Sequence, residues 1–231
     1  MKVVGALLLA IASACLSQSS APSPSSQAEV SFQFERTGLS VPKFVLSVRE
    51  DGTGTYKGET AAVSNGTYGG AAHPASAGQA IDRPVKLAPA TTEMIFKTAR
   101  SLEYFNIACA SKAKNIADTG KKTLSYSGLD GHGTCTYNYS ENKAVTQLTE
   151  TFQAIAFTMD EGRKLDFMHR YDRLGLYSEI DSLKHEVEAK RALELENISQ
   201  SLSSIANDEA LMERVRERAV ALLNMAGATP K

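Results

Sequence analysis

Beyond its first fourteen residues the sequence has no apolar run near the roughly 20 residues that a membrane-crossing helix needs, so no spanning helix is expected there. It also lacks a basic stripe. Residues 28–176 carry 17 Lys+Arg against 16 Asp+Glu, and residues 177–231 carry 7 against 10. A nucleic-acid partner needs concentrated positive charge, and this balance sets that class aside. Catalytic signatures are missing as well. There is no Gly-x-Ser-x-Gly elbow, phosphate-binding loop, dinucleotide glycine pattern, His-Glu-x-x-His motif or Cys-x-x-Cys pair. No repeat with a period of about 20–50 residues occurs. The sequence therefore points to no cofactor and no metal.

What is present begins with the first 27 residues. Met1-Lys2 gives a minimal positive start, Val3 to Ala14 is largely apolar, and Ala12-Ser13-Ala14 supplies small residues. A charged start, a short apolar core and a small-residue end describe a secretory signal peptide, here residues 1–14. Cys15 follows at once. Its position resembles that of the lipidated cysteine in bacterial lipoprotein signals, although Ala12 stands where those signals prefer Leu. Residues 15–27 then include SQSSAPSPSSQ, a Ser/Pro-rich stretch that behaves as a tether. Two outcomes stay open: a lipid-anchored protein, or cleavage after Ala14 to release a free one. Both place the chain outside the cytoplasm, in a periplasmic or cell-surface setting. Of the three cysteines, lipidation of Cys15 would leave Cys109 and Cys135. In an oxidising compartment such a pair persists as a disulfide.

The remainder carries enough apolar residues for a core, at 42 % hydrophobic and 22 % charged over the whole chain. Val30, Phe32 and Phe34 alternate with polar residues, as do Phe44, Leu46 and Val48, which is the period of a half-buried strand. Asp51-Gly52 marks a hairpin into Thr53–Lys57. Glu59 to Ala80 reads as a long loop. Ile81–Leu87 reads as a strand that Pro84 confines to a sheet edge. Helical spacing covers Thr91–Phe105, with Thr91 or Thr92 as its cap. Thr123–Ser127 and Thr134–Tyr139 are strands joined by the Gly-rich turn Leu129–Gly133, with Cys135, Tyr137 and Tyr139 facing inward. Val145–Ala156 is helical. Ile180 to Ile205 keeps three- and four-residue steps except at Arg191, and Asn207-Asp208 can cap a last helix carrying Leu211, Val215 and Leu222. Strands before helices, without βαβ alternation, predict an α+β fold. The expected architecture is an antiparallel sheet covered by one or two helices in residues 28–166, then a helical hairpin in residues 167–231.

Few residues suggest chemistry. Asp130 and His132 share the Gly-rich turn, and an Asp-x-His pair can serve acid–base work. Turns also collect Asp and Gly for conformational reasons. Asp166/His169 and His185/Glu188 have the spacing of neighbours on a helix face, and His73 lies in the long loop. Asp51-Gly52-Thr53-Gly54 and Asp118-Thr119-Gly120 look superficially like the loops of aspartic proteases. Such enzymes need two carboxylates meeting across a cleft.

The segment FVLSVREDGTGTYKG, Phe44 to Gly58, resembles the strand–Asp-Gly–strand element of uncharacterised bacterial exported domains of unknown function. That resemblance implies an exported α+β domain and no activity. The function expected is a non-catalytic envelope protein that binds another protein or a cell-wall component, touching a membrane only through Cys15. A hydrolase inhibitor acting through the Glu59–Ala80 loop is one alternative, and a hydrolase built near Asp130 and His132 is the other. The leader generates a direct test. Intact-mass analysis of the membrane-extracted protein should show a lipidated Cys15, and an unmodified N-terminus in the soluble fraction would contradict it.

Overall fold

A computed structural model describes residues 27–62 and 77–227. The expected signal peptide, Cys15 and most of the tether lie outside the described residues, as does His73. The fold is α+β. Six strands form one antiparallel sheet: β1 (Glu29–Glu35), β2 (Lys43–Arg49), β3 (Thr53–Glu59), β4 (Ala80–Lys86), β5 (Lys121–Ser127) and β6 (His132–Tyr137). The order is β4-β3-β2-β1-β5-β6. The chain meanders outward from β1 to the β4 edge, where Pro84 sits, then crosses back to add β5 and β6 on the far side of β1.

Period-two alternation sets the register. Val30 pairs with Val48, Phe32 with Leu46 and Phe34 with Phe44, so apolar side chains meet on one face. Phe32 also pairs with Leu124 of β5, which pairs with Cys135. Two helices cover this face: α1 (Pro89–Ser101) and the first half of α2 (Lys143–Tyr171). Phe152 of α2 stacks on Phe32 with ring centroids 5.4 Å apart and an interplanar angle of 10°. Val145, Leu148, Ile155 and Met159 continue this buried stripe.

Helix α2 does not stop where the sheet does. It runs for 29 residues without a break, from Lys143 to Tyr171. From Leu165 its buried side chains belong to a second core, shared with α3 (Leu176–Glu188), α4 (Ser199–Ala206) and α5 (Glu213–Met225). Gly162 marks the crossover. A Cβ there would collide with Ile198 of the short 3-10 turn Leu195–Ile198.

Several expectations need correction. The helical run from Ile180 to Ile205 is interrupted: α3 ends at Glu188, and Lys190 and Glu194 both adopt positive φ, 59° each. Arg191, the gap in the apolar stripe, turns out to pair with Glu186 at 2.6 Å. Neither Thr91 nor Thr92 caps α1. Its N-cap residue is Ala88, and Glu194 reaches across to accept from Ala88 N–H at 2.8 Å and from the Thr91 hydroxyl at 2.5 Å. Asp208 does not cap α5, whose N-cap residue is Met212. It instead accepts from Ala210 N–H and meets His169 at 2.8 Å and Arg173 at 3.1 Å. Strand β6 ends at Tyr137, so Tyr139 is exposed rather than inward.

In the second core, Ile198, Leu202 and Ile205 are buried together with Leu211, Val215 and Leu222. Leu202→Asp should therefore cost about 3 kcal/mol, because it places an unpaired charge there. Urea denaturation checks this, and an unchanged midpoint would contradict it.

Candidate functional site

The sheet has a second face, and no described element covers it. The same alternation that buries Phe32 and Leu46 turns polar partners outward. Register lines five of them up across five adjacent strands: Thr55, Ser47, Ser31, Ser125 and Thr134. Each carries a hydroxyl. With strands about 4.8 Å apart, the row spans roughly 20 Å. The neighbouring row reads Lys57, Val45, Gln33, Thr123 and Thr136 from β3 to β6. Hydroxyls bond across strands, Thr123 to Thr136 at 3.0 Å and Ser125 to Thr134 at 2.9 Å. Charges sit at the rim and partly neutralise one another, as in Lys43–Glu35 at 3.2 Å and Lys57–Asp82 at 3.4 Å. The outward side chains of the six strands include no Phe, Tyr or Trp.

Both sheet edges are partly covered. At β4, Asn197 acts like a short strand. Its Oδ1 accepts from Lys86 N–H at 2.7 Å and its Nδ2 donates to Lys86 C=O at 3.0 Å. Arg83 adds an ion pair to Asp166 at 3.2 Å. At β6 the guard is the segment after α1. Glu103, Tyr104 and Phe105 all adopt positive φ, 52°, 57° and 69°, a left-handed turn that costs L-residues roughly 1–2 kcal/mol each. Burial of Phe105 and packing of the Tyr104 ring on Tyr126, centroids 5.0 Å apart, oppose that cost. Beyond it, Asn106 Nδ2 donates to His132 C=O at 2.7 Å and Ser111 N–H donates to Tyr139 C=O at 2.9 Å. Cys109 and Cys135 lie at disulfide-bonding distance with Cα atoms 5.9 Å apart, fastening this segment to β6.

The Gly-rich turn now has a reason. Gly131 and Gly133 do not adopt positive φ. A Cβ on Gly131 would strike the Tyr104 ring at 2.6 Å, and one on Gly133 would strike the Tyr104 carbonyl. These glycines make room for the left-handed turn. Asp130 is equally committed. Its Oδ2 accepts from Arg100 Nε at 2.7 Å and its Oδ1 from the Tyr126 hydroxyl at 2.7 Å, while Arg100 also pairs with Glu50. The Arg100 hydrogen bond, helped by Tyr126, holds the Asp130 carboxyl below its usual range. The His132 side chain is exposed on the open face, and no hydrogen bond joins it to Asp130.

The remaining candidates are dispersed. Asp51 accepts from Thr53 N–H at 2.8 Å in the β2–β3 turn, and Asp118 accepts from Gly120 N–H at 2.9 Å just before β5. These two local turns lie at opposite ends of the sheet. His169 meets Asp208 rather than Asp166, and the His185 ring meets the Asp181 carbonyl at 2.7 Å. Among the described residues, no group of three or more His, Cys, Asp or Glu is placed to hold a metal ion. No described helix is long and apolar enough to cross a membrane. Residues 63–76 of the Glu59–Ala80 loop lie outside the described residues.

Sequence reasoning passed over the outward hydroxyls. Their signal was the polar half of each alternating strand, which acquires meaning only when the register lines them up. Compared with known proteins, the chain matches no protein family and no curated sequence.

The clamp on β6 generates a prediction. Cys109→Ser/Cys135→Ser opens a loop with a sequence separation of 26, and the chain-entropy relation gives a loss of about 3.5 kcal/mol. Urea denaturation of the oxidised parent and the double variant measures it. Equal stability would show that the bridge does not form in solution.

Proposed function

We propose that this is an exported envelope protein that works by binding, and that its docking surface is the open sheet face. One observation carries the reading: a charge-free row of five hydroxyl side chains on a face that no described element covers. Hydroxyls donate and accept, so such a row suits a ligand that presents alternating donors and acceptors along its length. A cell-wall glycan strand has that chemistry. The neutral centre avoids the cost of stripping water from fixed charges, and the rim charges pair among themselves.

The partly covered edges support a face rather than an edge as the surface. A partner chain adding itself as a seventh strand needs free backbone N–H and C=O groups. Asn197 occupies those of Lys86 at the end of β4, and the bridged segment after α1 takes the His132 carbonyl of β6, so a full-length seventh strand would have to displace them. The engagement of Asp130 by Arg100 and Tyr126 removes the support for a hydrolase at that turn.

Co-sedimentation with purified cell-wall sacculi tests the proposal. The wild-type protein should pellet with them. Ser47→Arg/Ser125→Arg, which leaves the buried face untouched, should weaken pelleting at least tenfold while the circular dichroism stays the same. Undiminished pelleting of the variant would refute the face. Failure of the wild-type to pellet, with saturable capture of an envelope protein that the variant loses, would move the reading to a protein partner.

A further inference from the structure

Glu161 and Glu179 face each other across the contact between α2 and α3. Glu161 is 8 % exposed, and among the described residues its Oε2 has no hydrogen-bond partner. One lysine serves both carboxylates: Lys164 Nζ lies 2.6 Å from Glu179 and 3.9 Å from Glu161. The other charged group facing Glu161 is Asp160 on its own helix, itself beside Arg163 at 3.5 Å. Helix α4, in the same core, carries no charged residue. Two carboxylates and one ammonium leave an uncompensated negative charge in a half-dry seam if both acids ionise.

Two like charges in contact at low dielectric do not both ionise at the ordinary carboxylate value. The pair titrates as a unit, with one proton retained far longer than the other. We propose that Glu161 and Glu179 form a proton-operated latch: one shared proton closes α3 onto α2, and loss of that proton loosens the seam. With the proton on Glu161, its O–H donates to Glu179, and Glu179 also accepts from Lys164. No charge is then left unpaired. Without the proton, Glu161 becomes a buried anion with Lys164 already engaged elsewhere.

The titration directions agree with this geometry. Burial and then Glu179 push the Glu161 carboxyl up. Burial also acts to raise Glu179, but the Glu161 and Lys164 hydrogen bonds outweigh it and hold Glu179 down. The sign follows. A carboxyl whose folded value is raised contributes stability that is present below its unfolded value, near pH 4.5, and lost as pH climbs through the folded one. The latch therefore closes in acid and loosens toward alkaline pH. Helix α3 would keep its hold on α5 through Arg214 and Arg218, each 4.5 Å from the Tyr177 ring centroid. The loosening is thus confined to the α2 side.

Hydrogen–deuterium exchange of the whole protein tests this, with rates corrected for intrinsic pH dependence. Between pH 5 and pH 9, α3 amides should lose protection at least tenfold relative to the β1–β2 strands. Glu161→Gln should abolish that change and keep α3 protected at pH 9. Lys164→Met removes the cation that favours the ionised pair, so the loosening should move to higher pH. A wild-type protein without the change, or a Glu161→Gln variant that shows it in full, would overturn the latch. If Glu161→Gln does not fold, an unshifted midpoint in Lys164→Met would overturn it equally.

Discussion

Phe152 stacks on Phe32 in the sheet core, and less than four turns later Leu165 of the same helix is buried among α3, α4 and α5. Helix α2, about 43 Å long at 1.5 Å per residue, is therefore the wall of two cores at once. The other bridges lie close to its crossover. Gly162 lets Ile198 approach, Arg83 of β4 reaches Asp166 and the Met159 carbonyl, and Asn197 pairs with Lys86. Glu194 completes the seam by satisfying the start of α1. Arg83 grips α2 on both sides of Gly162, while Asn197 and Glu194 join the two cores directly.

That arrangement decides what stays open. Helices fill one face of the sheet, the seam to α2 and Asn197 occupies the Lys86 end of β4, and the left-handed turn with its bridge packs against β6. An unguarded strand edge is a template for unwanted pairing. With both edges partly occupied, the hydroxyl-bearing face is the broad regular surface left on the sheet. Its polar character fits a wetted surface, as one face of an antiparallel sheet commonly is.

The alternation of Val30, Phe32 and Phe34 made the strands legible, and Pro84 made β4 an edge. The Asp51-Gly52 hairpin and the Cys109/Cys135 pairing were also readable from residue type and spacing. The continuity of α2 was not. Between Thr158 and Arg170 the charged residues Asp160, Glu161, Arg163, Lys164 and Asp166 leave Met159, Leu165 and Met168 as thin markers, because the buried stripe changes sides as the helix changes cores. The left-handed turn at Glu103–Phe105 gave no signal either, since none of its residues is glycine. Its sequence trace is displaced to Gly131 and Gly133, which look like turn residues. The outward hydroxyls were visible one strand at a time, but the row they form depends on register between strands as distant in sequence as Thr55 and Thr134.

If α2 binds two cores into one, the protein should unfold as one. Differential scanning calorimetry of the protein measures this directly. A single transition with calorimetric and van't Hoff enthalpies in a ratio near one is the predicted result. Two resolved transitions, or a calorimetric enthalpy well above the van't Hoff value, would show that the sheet core and the helical core melt separately and that α2 does not couple them.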